Sequence, residues 1–81
     1  MKKENVEELL RLIEKIGFER KLTIQEFGLA FKDVGLDSLD VYSLVTEIEL
    51  KTNSEVNDDT FNSIETLNDL LKVMTDLEAQ K

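Results

Sequence analysis

The chain of 81 residues has no cysteine, histidine or proline, is 41% hydrophobic, and carries a formal charge of −8 at pH 7. That inventory excludes disulfides, thiolate and imidazole metal sites, a serine–histidine dyad and histidine acid–base chemistry, which weighs against an enzyme. Residues 1–32 hold seven Lys/Arg against six Asp/Glu and residues 33–81 hold three against twelve, so the halves carry +1 and −9; such acidity repels nucleic-acid phosphates and anionic lipid heads and attracts proteins with basic patches.

A chain this short can bury one small core, so one domain over residues 1–81 is expected. No apolar run approaches the roughly 20 residues of a membrane span, and "MKKENVEELL" lacks the apolar core of a signal peptide. A cytoplasmic monomer without membrane insertion is the expectation.

Within residues 5–17, Val6, Leu9, Leu10, Ile13 and Ile16 recur at helical spacing opposite Glu7, Glu8, Arg11, Glu14 and Lys15, which predicts an amphipathic helix stopping at Gly17. Asn5 is a candidate cap, although nothing in residues 2–4 breaks a helix. Residues 18–37 show no sustained period and read as a long, partly packed loop. Thr23 and Glu26 have capping-box spacing for a short turn ending near Gly28, and Leu22, Ile24, Phe27, Leu29, Phe31, Val34 and Leu36 are candidate anchors over the core. From Leu39 to about Leu50 a second helix is expected, with Val41, Leu44, Val45 and Ile48 on its apolar stripe and Asp40, Ser43 and Glu47 opposite. Asp37 stands as its cap, with Asp40 in the capping-box position. Asn57 is the cap expected for a short helix through "DDTFNSI", with Phe61 and Ile64 inward. Leu67, Leu70, Leu71, Met74 and Leu77 predict a last helix opened by Thr66 and Asp69 and fraying into "EAQK". The fold class is all-α: a four-helix bundle of three long helices and one short, with a long loop between the first two.

The chemistry available is sparse. No Gly-rich loop leads into Lys and Ser/Thr, and EF-hand registers starting at Asp37 or Asn53 put Ile48 or Ile64 at the terminal bidentate position, so no metal site is expected. Ser38, between Asp37 and Asp40 in "GLDSLD", then has two readings. It is either part of the capping chemistry of a helix start or a hydroxyl presented for modification.

The stretch "FKDVGLDSLDVYSLVTEIE", residues 31–49, closely resembles the attachment region of acyl carrier proteins, with an Asp-Ser-Leu after a Gly-containing loop opening an acidic helix. The order of helices, through "SIETLNDLLKVM", follows that family over nearly the whole chain. The resemblance implies a non-enzymatic, free-standing type II carrier. Its Ser38 would bear 4′-phosphopantetheine delivered from coenzyme A by a phosphopantetheinyl transferase, the holo-carrier synthase, with Asp37 as flanking motif. The arm's thiol would hold acyl intermediates as thioesters for fatty acid, polyketide or related biosynthesis. A phosphodiester at a helix N-terminus meets the positive end of the dipole, and a cofactor thiol removes the need for a cysteine.

The resemblance further implies docking of acyltransferases, ketosynthases and related enzymes with basic patches along the second helix. The corresponding positions are Asp37, Leu39, Asp40, Ser43, Glu47 and Glu49. Each acid is equally an ordinary solvated residue. Ser43, Leu50 and Asn57 depart from the glutamate, acid and proline common in the family, Tyr42 is larger than the usual aliphatic residue, and the loop before the motif lacks the acids of primary fatty-acid carriers. These departures leave a specialised pathway open. If the acyl chain is sheltered between helices, the candidate lining is Leu44, Val45, Ile48, Val56, Phe61, Ile64, Leu67 and Leu71, with bulky Phe61 suiting a short chain. The rival readings are a carrier for aminoacyl or other specialised assembly, and an acidic helical interaction module without a prosthetic group.

Overall fold

In the computed structural model, which describes the backbone of residues 3–79 and side chains from Asn5 onward, the apolar stripes at helical spacing become three packed helices. The first, α1, spans Lys3–Lys15 and buries Val6, Leu9, Leu12 and Ile13. Gly17, with φ 90°, turns the chain away in the left-handed region open to glycine. Asn5 does not cap this helix. The helix begins two residues earlier, which turns the Asn5 side chain inward, where its Nδ2 donates to Thr75 Oγ1 at 2.9 Å.

The connection from α1 is more ordered than a loop. A 3-10 turn spans Ile24–Gly28, with the Thr23 amide donating to Glu26 Oε1 at 3.2 Å as the capping box requires. A one-turn helix, α2, follows over Phe31–Val34 and ends at Gly35, with φ 92°. Leu22, Phe27, Val34 and Leu36 are the buried anchors and Phe31 is half-buried, whereas Ile24 and Leu29 are exposed. The four buried residues fill the inward side of the connection, leaving Ile24 and Leu29 on its outer side.

The second long helix, α3, spans Ser38–Thr52, two residues beyond the expected end, and buries Val41, Leu44, Val45 and Ile48. The short α4, Asp58–Ser63, is capped by Asn57, whose Oδ1 accepts from the Thr60 amide at 2.8 Å. Ile64 is buried, and Phe61 is half-buried. The last helix, α5, spans Leu67–Ala79 and buries Leu67, Leu70, Leu71, Met74 and Leu77. Thr66 and Asp69 exchange backbone-to-side-chain bonds at its start, at 3.1 and 3.2 Å. Lys2 and the last two residues of the expected fraying end lie outside the described residues.

The architecture is therefore the expected all-α bundle of three long helices, one short helix and a long first connection, with α2 as an addition inside that connection. α1, α3 and α5 pack around one core, and the 3-10 turn lies against α5 through the fully buried Phe27. The connection is pinned twice more. The Phe31 amide donates to Glu65 O at 3.2 Å, and the Arg20 guanidinium donates to Val34 O at 3.0 Å while pairing with Glu26. The segment leading into α3 is thus held from both sides. No described helix is long and apolar enough to cross a membrane.

Candidate functional site

Everything that distinguishes Ser38 from an ordinary helix-start serine follows from what Asp37 does. Its backbone is extended (φ −97°, ψ −179°), and its Oδ1 accepts from the Asp40 amide at 2.8 Å while Asp40 Oδ2 accepts from the Asp37 amide at 3.2 Å. This reciprocal pair is the capping box expected from the spacing. The Ser38 hydroxyl has no part in that exchange, and the residue is exposed on the first turn of α3.

The turn that presents Ser38 is set by its predecessors. Gly35 takes the left-handed conformation and its amide closes α2 on Lys32 O at 3.3 Å; Leu36 then drops into the core, its amide donating to Phe31 O at 2.9 Å. With Leu36 buried on one side and Val41 on the other, Asp37 and Ser38 face outward.

Ser38 stands on the rim of a cleft of about 430 Å³ between α2, the start of α3 and α4. Phe31, Leu36, Val41, Phe61 and Ile64 form its apolar wall, and Lys32, Asp37, Ser38 and Asn62 its polar margin. The Phe61 ring of that wall also meets Tyr42 edge-on, centroids 6.0 Å apart and planes 67° from parallel. A larger, more open depression lies at the far end of α3, lined by Thr46, Glu49, Leu50, Asn53, Ser54, Glu55 and Val56. Ser38 does not border it.

The remaining residues singled out in the sequence fall into two groups. Leu39 (77% exposed), Tyr42 (64%) and Ser43 look outward near Ser38. The acids farther along α3 have partners inside the chain. Glu47 is paired with Lys15 Nζ at 2.8 Å across the α1–α3 seam, and Glu49 Oε2 accepts from the Val56 amide at 2.7 Å, tying down the α3–α4 connection. Of the lining expected for a sheltered acyl chain, only Phe61 and Ile64 border the cleft. Leu44, Ile48, Leu67 and Leu71 are fully buried core and Val45 nearly so, while Val56 lines the depression at the far end.

Two residues of the cleft margin carried no weight in the sequence reading, Lys32 and Asn62. The signal for Lys32 was present: it is the last cation before the acidic half begins at residue 33. Asn62 had none, since its place beside Ser38 depends on how α4 packs.

Comparison with known proteins decides the family. The model of the phosphopantetheine attachment site matches residues 18–74, which takes in the whole Ser38 turn and the cleft. The chain belongs to the phosphopantetheine attachment-site family. Its fold is also that of the acetyl actinorhodin acyl carrier protein from Streptomyces coelicolor, whose solution structure aligns with a TM-score of 0.71 at 21% identity, covering 99% of this chain and 93% of that one. No curated protein sequence matches. As a member of this family the chain is a carrier and not itself an enzyme, and the group the domain receives is 4′-phosphopantetheine. The geometry accommodates such an arm: the carrier presents an exposed serine hydroxyl, a helix start whose dipole favours an anion, and an adjoining cleft with an apolar wall.

Proposed function

We propose that this is a free-standing type II acyl carrier protein in which Ser38 bears the arm and residues 1–81 act as one domain. The observation that carries the assignment of Ser38 is the division of labour at the helix start. Asp37 and Asp40 satisfy the cap between them, so a hydroxyl beside them can be esterified without removing a capping bond. In that reaction the Ser38 Oγ forms a bond to the phosphorus that carries pantetheine, the diphosphate of coenzyme A breaks with adenosine 3′,5′-bisphosphate as the leaving group, and the hydroxyl proton passes to the transferase. The bound arm supplies a thiol for thioester formation; with no cysteine in the sequence, it is the only thiol on the loaded carrier.

The acyl group belongs to fatty acid biosynthesis or to a related specialised pathway such as polyketide assembly, in the cytoplasm. Partner enzymes would approach the outward face that Leu39, Tyr42 and Ser43 share with Ser38. Asp37 and Asp40 would provide the charge there for basic patches, setting encounter rate and orientation more than affinity. Glu47 and Glu49 would contribute less, since each carboxylate already has a partner within the chain.

Intact mass after incubation with coenzyme A and a broad-specificity phosphopantetheinyl transferase tests the reading. One added arm is expected, and none on Ser38→Ala. A folded wild-type chain that gains no mass beside an active transferase would overturn the proposal in favour of an interaction module without a prosthetic group.

A further inference from the structure

Attaching a phosphodiester to Ser38 places a third negative charge in the first turn of α3, beside Asp37 and Asp40. The helix start has limited means of compensating for it. The Asp40 amide is already taken by Asp37 Oδ1, and the Asp37 amide by Asp40 Oδ2. Among the described residues that line the cleft, one cationic side chain is present, that of Lys32, on the same margin as Ser38. Arg11, Lys15, Arg20 and Lys51 are all committed to carboxylates elsewhere, whereas Lys32 forms no ion pair with any described residue. Its backbone is held at the end of α2, where its carbonyl receives the Gly35 amide.

We propose that Lys32 is a positioning residue for the arm. Its ammonium group pairs with the phosphodiester at Ser38 and, from the α2 side of the cleft, turns the first part of the arm inward along the apolar wall of Phe31, Val41 and Phe61, with the Asn62 amide on the opposite margin. Apart from the capping carboxylates, the margin carries little else to direct the arm. The inference rests on the Ser38 reading above and adds the residue that decides where the arm lies.

The absence of cysteine makes the test direct, because a nitroxide reagent for thiols labels the arm alone. Wild type, Lys32→Gln, Lys32→Glu and Lys32→Arg are loaded with coenzyme A and the transferase, checked by intact mass, labelled on the arm thiol, and compared by paramagnetic broadening of backbone amides at low salt. Broadening in wild type is expected to concentrate on residues 31–36 and 61–64. Lys32→Gln should reduce it by about two-fold in arm occupancy, the scale of one exposed ion pair. Lys32→Glu should reduce it further, Lys32→Arg should retain it, and high salt should bring wild type toward the Gln variant. Equal broadening in wild type, the Gln variant and the Glu variant would overturn the role of Lys32, as would a wild-type arm that broadens no cleft residue. If wild type gains no mass, the Ser38 assignment fails first, and the two failures are told apart at the loading step.

Discussion

At the scale of single residues, the assignment of the cap to Asp37 separates two otherwise similar substitutions. Asp37→Ala removes the acceptor for the Asp40 amide and should cost about 0.5–2 kcal/mol in urea unfolding. Ser38→Ala removes an exposed hydroxyl outside the cap and should stay within about 0.5 kcal/mol of wild type. The reverse ranking would mean that the serine is the cap and would undercut its presentation for modification. A second residue-scale prediction concerns Asn5 and Thr75, which join α1 to α5. Thr75→Val leaves the buried Asn5 amide without its acceptor and should cost about 1–3 kcal/mol. Pairing it with Asn5→Leu should recover part of that loss, as equilibrium unfolding of the double variant would show. Ser38 and its cap were legible in the sequence because both depend on residues within three positions of one another. Asn62 was not, and Lys32 only as the last cation before the acidic half, because the cleft margin they share is made by α2 and α4 meeting across the fold. The sequence left Asn5 open between a cap and a residue inside a longer helix, because the partner that draws it inward lies 70 residues away.

At the scale of elements, α1, α3 and α5 were legible because each repeats its apolar residues over three or more turns, and their starts carry local capping patterns where the helix opens at Asp37 or Thr66. α2 was hidden, since four residues are too few to show a period and its stability comes from bonds across the fold, to Glu65 and Arg20. The turn that closes it yields a prediction. At Gly35 an added Cβ would meet Phe18 Cζ at an ordinary 3.6 Å, so space is available, but the φ of 92° is strained for any L side chain. Gly35→Ala should therefore cost roughly 1–2 kcal/mol through the backbone alone, read in urea unfolding. It should also slow loading by the transferase, since the turn it distorts aims Ser38. A variant as stable and as readily loaded as wild type would show that the turn is not needed in this form. Acid acts on other joints of the elements. The Arg11 hydrogen bond, helped by the charges of Lys51 and Arg11, holds the Glu8 carboxyl below its usual range despite partial desolvation; the Thr23 amide, then Arg20, does the same for Glu26. Both pKa values are lower folded than unfolded, so their stabilisation is present above the ordinary carboxylate range and is lost as pH falls through the depressed folded values. In acid titrations of stability, Glu8→Gln and Glu26→Gln should each flatten part of that loss, the second chiefly in amide protection of residues 20–34.

At the scale of the whole molecule, the distribution of charge sets two electrostatic effects against each other. The formal charge of −8 is concentrated in residues 33–81, and the protein measures 32 × 26 × 21 Å, so at low salt these acids repel one another across the fold. Opposing them are exposed ion pairs such as Lys15–Glu47 at 2.8 Å and Lys51–Glu8 at 3.5 Å, which fasten α1 to α3. Distance decides which effect salt removes first. The Debye length is roughly 30 Å in 0.01 M salt and about 10 Å in 0.1 M, so added salt screens repulsion over the width of the molecule while leaving contacts of a few ångströms less affected. The pairs themselves are exposed and worth at most about 1 kcal/mol each, so their partial loss weighs little. The urea midpoint at neutral pH should therefore rise between about 0.01 M and 0.2 M sodium chloride. Reversing charge on the acidic side, as in Asp58→Lys with Asp59→Lys at the exposed start of α4, should raise the low-salt midpoint and weaken its salt dependence, apart from the loss of favourable charge at that helix end. A midpoint that falls with salt in wild type would mean that the α1–α3 pairs outweigh the repulsion. In that case Lys15→Gln, which breaks the pair with Glu47, should abolish the fall.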